Sequence, residues 1–298
     1  MFKGIIKWII FVIIVGAAVT FILKKNDEKP FVLSKEPDLG KQAENPDVEQ
    51  QVMAFSIDGS SSSGANQWHL MGESAQIQEE EIYLYKLKAK AFGEKVVVDI
   101  TSDKGIYNKT NGEVELLGNV KVVSDDGTTL ETERAVWSQV TKEVTTESLV
   151  RISREGMTAV GEGGMANSDE KKAILRKNVT VTMEPNTVVN CDGILEIDYN
   201  KNTAVFFDNV RVKDKEGVLF ADKLTINFDP ETEAVVQGVA EGNVKVKKGN
   251  SYTLSEKAVY TESTKSAELL GRPRIIIDPE ELAELEKQEK GSFQPENL

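Results

Sequence analysis

The sequence predicts an all-β protein, an antiparallel meander of V-shaped strands preceded by one N-terminal transmembrane helix. Three observations predict the β part. An apolar–polar alternation returns at a near-constant interval, turn residues punctuate the chain at half that interval, and glycines or parity slips interrupt the segments between turns. A repeat this regular constrains the architecture before any single residue does.

The alternation first stands complete at Gly118-Asn119-Val120-Lys121-Val122. Later copies are Leu149-Val150-Arg151-Ile152, Asn178-Val179-Thr180-Val181, Asn209-Val210-Arg211-Val212, Asn243-Val244-Lys245-Val246 and Arg272-Pro273-Arg274-Ile275. Measured at Val120, Val150, Val179, Val210, Val244 and Pro273, the steps are 30, 29, 31, 34 and 29 residues. Period two is the signature of a strand with one buried and one wet face.

Between the copies lie Lys109-Thr110-Asn111-Gly112, Asp125-Asp126-Gly127, Arg154-Glu155-Gly156, Glu184-Pro185-Asn186, Asn200-Lys201-Asn202, Lys215-Glu216-Gly217, Asp229-Pro230-Glu231 and Lys248-Gly249-Asn250. Asn, Asp and Gly supply the positive φ of hairpin loops, and Pro presets a turn start. Reversals about every 15 residues leave strands of about 11 to 12, longer than the usual ~5 to 6. Gly118, Glu162-Gly163-Gly164, Asp192-Gly193, Gly238 and Gly271 fall near strand middles. Across Arg134-Ala135 the parity switches, so Leu130 and Trp137 cannot share a face of an unbent strand. Such features mark bulges or sharp bends. Each strand is therefore expected to fold into a V, giving two sheets with apolar residues between them. The interior is either closed core or a trough open along one side, and alternation fits both.

In chain order, residues 1–4 are a short tail and 5–23 an apolar stretch interrupted only by Lys7, Gly16 and Thr20. It is long enough to span a bilayer and longer than a signal-peptide core. Gly16-Ala17-Ala18 is followed by apolar Val19 to Leu23, which favours an uncleaved anchor. Lys3 and Lys7 nearly balance Lys24, Lys25 and Lys29, so orientation rests on the large strand-rich domain, most simply exported. Residues 24–50, with Pro30, Pro37 and Pro46, read as a tether. Gln51 to Ile57 and Trp68 to Leu70 are expected edge strands. The lysines of Ile82-Tyr83-Leu84-Tyr85-Lys86-Leu87-Lys88-Ala89-Lys90 guard an outward face or edge. The first β region, 51–183, ends where the pattern pauses at Glu184-Pro185-Asn186-Thr187. The second, 184–278, is richer in aromatics (Tyr199, Phe206, Phe207, Phe220, Phe228). Residues 279–298 form an acidic tail whose segment Glu280 to Lys290 has helix-forming composition.

A formal net charge of −13 disfavours nucleic acid, which needs clustered Lys and Arg. With one cysteine and one histidine, Cys191 and His69, the chain can form neither an intramolecular disulfide nor a Cys/His zinc cluster. Cys191 reads as a small core residue and His69 as a surface or half-buried one. There is no G-x-S-x-G, phosphate loop or H-E-x-x-H, and the 49 carboxylates show no recurrent pair. The expectation is a non-enzyme with no catalytic residue, metal or cofactor.

Trp68-x-Leu70 with Gly72 and Ala75, then Gly105-Ile106-Tyr107, Val114, Gly118-Asn119-Val120, Gly127, Leu130-x-Thr132 and Ala135-x-Trp137, behind an anchor and tether, resemble the LptC family of lipopolysaccharide export proteins. Ala221-Asp222-Lys223-Leu224, Gly242-Asn243-Val244, Ala258-Val259-Tyr260 and Leu269-Leu270-Gly271-Arg272-Pro273-Arg274-Ile275 look more like the LptA or OstA type of soluble bridge protein. The resemblance covers roughly Trp68 to Asp278. It departs in length, since a single such domain is usual for LptC, and 184–278 continues as an LptA-like second half.

The resemblance implies a β-jellyroll trough in the periplasm of a diderm bacterium, tethered to the inner membrane. Lipopolysaccharide would be accepted from an inner-membrane ABC transporter, with its acyl chains sliding inside and its sugars in water. The expected lining is Val120, Val122, Val150, Ile152, Val179, Val181, Val210, Val212, Val244, Val246, Ile275 and Ile277. An acyl chain of about a dozen methylenes gains roughly 8 to 10 kcal/mol when buried, so hand-over must run from groove to groove. Open edge strands would let an LptA-like bridge or the outer-membrane translocon join by strand addition. The outward row Lys121, Arg151, Arg211, Lys245 and Arg274 suits either glycolipid phosphates or a solvated face. The competing reading is a membrane-tethered β-repeat scaffold with a dry interior and no lipid.

Overall fold

A computed structural model of the protein describes residues 50–60, 66–92, 97–138, 140–154, 156–167, 169–232, 234–280 and 282. The anchor expected over 5–23, the tether expected over 24–50 except Gln50, which lies in a strand, and most of the acidic tail lie outside them. Among the described residues no helix is long and apolar enough to cross a membrane.

Among the described residues seventeen strands form one antiparallel sheet. They are β1 (Gln50–Ser60), β2 (Asn66–Ile77), β3 (Glu81–Phe92), β4 (Val97–Asn108), β5 (Val114–Ser124), β6 (Thr129–Ser138), β7 (Glu143–Arg154), β8 (Met157–Asn167) and β9 (Lys172–Met183). There follow β10 (Thr187–Cys191), β11 (Leu195–Asp198), β12 (Thr203–Lys213), β13 (Val218–Phe228), β14 (Val235–Lys248), β15 (Ser251–Thr261), β16 (Ser266–Leu270) and β17 (Arg274–Ile276). Apart from β10–β11 and β16–β17, each strand pairs with the next along the meander. β10 and β11 are the two halves of one bent strand, both held between β9 and β12. β16 and β17 are likewise two halves, both on β15. Among the described residues β1 pairs only with β2, so β1 and β16–β17 are the two edges there.

Local chemistry explains the reversals. At five of them an Asn or Asp at the end of one strand turns its side-chain oxygen back onto the next amides. Asn108 accepts from the backbone N–H of Thr110 and Asn111, and Asn167 from Asp169 and Glu170. Asp198, Asp214 and Asp229 do the same with the residues two or three positions on. These Asx turns satisfy amides that leave the ladder.

The bends have their own chemistry. Register slips fall in strand middles, between Thr101 and Lys104, Leu117 and Val120, Thr146 and Leu149, Phe207 and Val210, and Glu241 and Val244. Residues there take the left-handed conformation, including Gly118-Asn119, Asn178, Asp208-Asn209, Gly242-Asn243 and Gly271-Arg272. Gly238 is not among the bends. It stays in register with Ile226 and Tyr260, and β14 bends four residues later, where Gly242 and Asn243 can take positive φ without strain.

Candidate functional site

The recurrent asparagine of the repeat proves to be a clasp. Held at positive φ, it turns its carboxamide onto a carboxylate of the neighbouring strand's bend. Asn119 donates to Asp103 at 2.6 Å, Asn209 to Asp192 at 2.8 Å, Asn243 to Asp222 at 2.8 Å and Asn178 to Glu162 at 3.0 Å. The glycine before Asn119 leaves room for this, since a Cβ on Gly118 would sit 2.8 Å from the Asp103 carboxylate. Lys86 also bonds Asp103, and these donors, Lys86 foremost, hold its pKa below the ordinary carboxylate value. The clasps pin the fold line, which sets the inner face of each strand.

That inner face is an apolar ladder in unbroken register. One row passes from Leu70 through Ala89, Ile100, Val122, Leu130, Ile152 and Ala159 to Val181. It continues through Val189, Val212, Leu219, Val246 and Thr253 to Ile275. A second row nearer the bends sets Val120 opposite Thr132, Val150 opposite Gly161, Val179 opposite Cys191, Val210 opposite Ala221 and Val244 opposite Ser255.

Eight of the twelve residues named from the sequence lie in the buried core: Val120, Val122, Val150, Ile152, Val179, Val181, Val210 and Val244. Val212 and Val246 are half-buried against it. Ile275 and Ile277 do not join it, being 69% and 44% exposed. Ile275 continues the row in register, but it sits on the last strand, which has a neighbour on one side only. Residues the repeat motif did not mark fill the row between its copies, notably Leu130, Ala159, Val189 and Leu219. They lie on the alternate strands, where the Leu130-x-Thr132 pattern was the available signal.

Between β4 and β9 the two inner faces leave a partly open apolar pocket. Val120, Val122, Val150 and Ile152 line it with Ile100, Leu116, Leu130, Val144, Ile174 and Leu175. Its buried hydroxyls are already engaged: Thr132 lies 3.4 Å from Thr146, whose oxygen accepts from the Ser148 amide at 3.0 Å. Hydrocarbon entering there would leave no buried polar group without a partner, the condition for favourable burial.

The outer face differs. Lys121 and Arg151 flank Glu131 across the sheet, with Lys121 ion-paired to Glu131 at 2.9 Å. In the second half Arg211 lies over the Phe220 ring at 5.6 Å and Lys245 over Tyr252 at 4.3 Å. Cys191 packs in the core beside the Asp192-Gly193 bend, where burial pushes its thiol up to about 11. His69 is half-buried on β2 and far along the meander from Cys191. Among the described residues no three His, Cys, Asp or Glu side chains come together as a metal ion requires.

Two family models match the chain. Residues 10–184 match "Lipopolysaccharide-assembly, LptC-related", and residues 192–283 match "LptA/(LptD N-terminal domain) LPS transport protein". No curated protein matches. Among solved structures, the chain is similar to LptH, the LptA-homologous periplasmic component of the lipopolysaccharide transport device of Pseudomonas aeruginosa. That similarity has 14% identity and a TM-score of 0.34, covering 41% of this chain and 95% of that one.

Proposed function

The chain belongs to the lipopolysaccharide-assembly, LptC-related family, and on that premise we propose that it conducts lipopolysaccharide along its apolar interior. The two families indicate a periplasmic lipopolysaccharide-transport component, and both are families of non-enzymatic transport proteins. The finer reading is this. Residues 5–23 anchor the chain in the inner membrane, 24–50 tether it, and 51–183 receive the glycolipid from an ABC transporter. Residues 184–278 carry it on toward the outer membrane, and an LptA-like bridge or the translocon adds to the free edge of β16–β17.

The observation that carries the reading is the continuity of the inner row. It passes from β9 into β10 and β12 without losing register, so a chain lying against Val181 meets Val189 and Val212 next. Groove-to-groove passage then changes little apolar exposure per step, which removes the release cost that burial would otherwise impose. A row that ends exposed at Ile275 suits onward transfer. A scaffold needs no such continuity.

Photo-crosslinking in cells tests it, with the probe at Val181 or Val212 inside and at Thr180 or Arg211 outside. Glycolipid adducts at the inner pair alone are expected. Equal labelling at all four positions, or none, would make the ladder ordinary core and favour the scaffold.

A further inference from the structure

The outer face of the second half, on the arm formed by β12, β13, β14, β15 and β17, is arranged in columns. Arg211 and Lys213 stand on β12, Lys245 and Lys247 on β14, and Arg274 on β17. Arg211 and Lys213 alternate with buried or half-buried Val210 and Val212, and cross-strand register carries the same parity to Lys245 and Lys247 and, through Leu254, to Arg274, so these five side chains share the outward face. Between the cations lie apolar columns, Val218 and Phe220 on β13 and Tyr252 on β15, with Ile276 beside Arg274. Cross-strand register interleaves them: Arg211 faces Phe220, Phe220 faces Lys245, and Lys247 faces Tyr252.

No carboxylate stands in these columns. The nearest acids in sequence are Asp208, Asp222, Glu241 and Glu256 along the bends, Asp214 and Glu216 in the β12–β13 turn and Asp278 after β17. Among the described residues none of the five cations makes an ion pair, and Arg211 and Lys245 lie over rings instead. The matching columns of the first half are different. There Lys90 pairs with Asp99 at 3.3 Å and Lys121 with Glu131 at 2.9 Å, and the remaining positions are rich in hydroxyls, Thr129, Ser153, Thr158, Thr180 and Thr182. A chain of net charge −13 has thus gathered unpaired cations, exposed Phe220 and half-buried Tyr252 on one face of one half.

We propose that this face of the second half docks on an anionic phospholipid surface. Cations alone would suit any polyanion. Cations alternating with aliphatic and aromatic groups suit a membrane interface, where phosphates meet the charges while rings and aliphatic side chains reach the headgroup level. The docking uses the outside of the fold and does not depend on the interior conducting lipid.

The test uses the full chain reconstituted in vesicles, with one environment-sensitive fluorophore on Val218→Cys in the face or on Thr158→Cys at the matching position of the first half. Cys191 is buried and stays unlabelled. The probe vesicles contain phosphatidylcholine alone or are rich in phosphatidylglycerol, and both carry nitroxide-labelled lipid as quencher. Expected are blue-shifted emission and quenching at position 218 only, in the phosphatidylglycerol vesicles only, and lost in high salt. Reversing two charges with Arg211→Glu and Lys245→Glu should lower the lipid-dependent signal at least about tenfold, with circular dichroism unchanged. Should either variant fail to fold, Ile276→Cys labelling and the salt dependence of the otherwise unchanged protein read the same contact. Equal quenching at both positions, or equal quenching in neutral vesicles, overturns the proposal. So does a response to soluble polyglutamate without one to lipid, which would identify an acidic polypeptide as the partner.

Discussion

The first half, β1 to β9, and the second half, β10 to β17, carry the same alternation and the same clasped bends, yet the inner row is buried in the middle of one and exposed at the end of the other. Val122 and Ile275 occupy one cross-strand row, with 3% and 69% exposure respectively. Period two assigns a face; only neighbouring strands and the opposite arm supply burial. The outer columns diverge too: the first half pairs Lys90 with Asp99 and Lys121 with Glu131, whereas the second sets Arg211 over Phe220 and Lys245 over Tyr252. A repeat can therefore conserve its backbone logic while its two faces take on different tasks.

The strongest way to break the comparison is to make the same deletion at both ends of the row. Ile152→Ala removes a side chain only 2% exposed and is expected to cost about 2 to 5 kcal/mol. Ile275→Ala should stay within about 0.5 kcal/mol. Urea midpoints measure both, and a comparable loss at Ile275 would mean that the last strand is covered in solution.

A smaller contrast separates two bends. Gly118 has φ +74° on a strand flanked on both sides, and Gly271 has φ +79° on the edge. A Cβ carries the left-handed penalty of roughly 1 to 2 kcal/mol at either place. At Gly118 it also comes within 2.8 Å of the Asp103 carboxylate in a strand held on both sides, and at Gly271 within 2.5 Å of the Glu256 side chain on the edge. Gly118→Ala should therefore lower the thermal midpoint more than Gly271→Ala, where the edge can shift. Equal losses would show that the clasp adds nothing beyond φ.

The smallest expected effect is a pH dependence. Lys86 and Asn119 depress the Asp103 pKa in the folded protein. The stabilisation is therefore fully present above the unfolded value, about 3.9, and fades as pH falls through the lower folded value. Asp103→Asn should flatten the acid limb of the stability curve below that pH while leaving the neutral region nearly level. An unchanged acid limb would mean the exposed pair is screened by water.

Strand character, the reversals and most bends were legible because alternation and turn residues are local signals. The role of the repeated asparagine was not. Asn119 and Asn243 read as the start of an alternating segment, and only folding reveals that their φ is positive and that an acid from another strand waits for the carboxamide. Gly238 drew attention for want of a side chain, whereas position 242 bends because Asn243 follows it and Asp222 lies opposite. For the interior, the motif marked alternate strands, so Leu130, Val189 and Leu219 stayed unassigned until cross-strand register placed them. The exposure of Ile275 and Ile277 follows from where the sheet stops, which no pattern within three residues encodes.

The pairing of β9 with β10 and β11 has a consequence for dilution. A joint between separate subunits comes apart by mass action as their concentrations fall, whereas a joint within one chain is held at the fixed effective concentration its connection imposes. Here the connection is the short turn between Met183 and Thr187. The two halves therefore stay in step at any expression level, in one-to-one ratio.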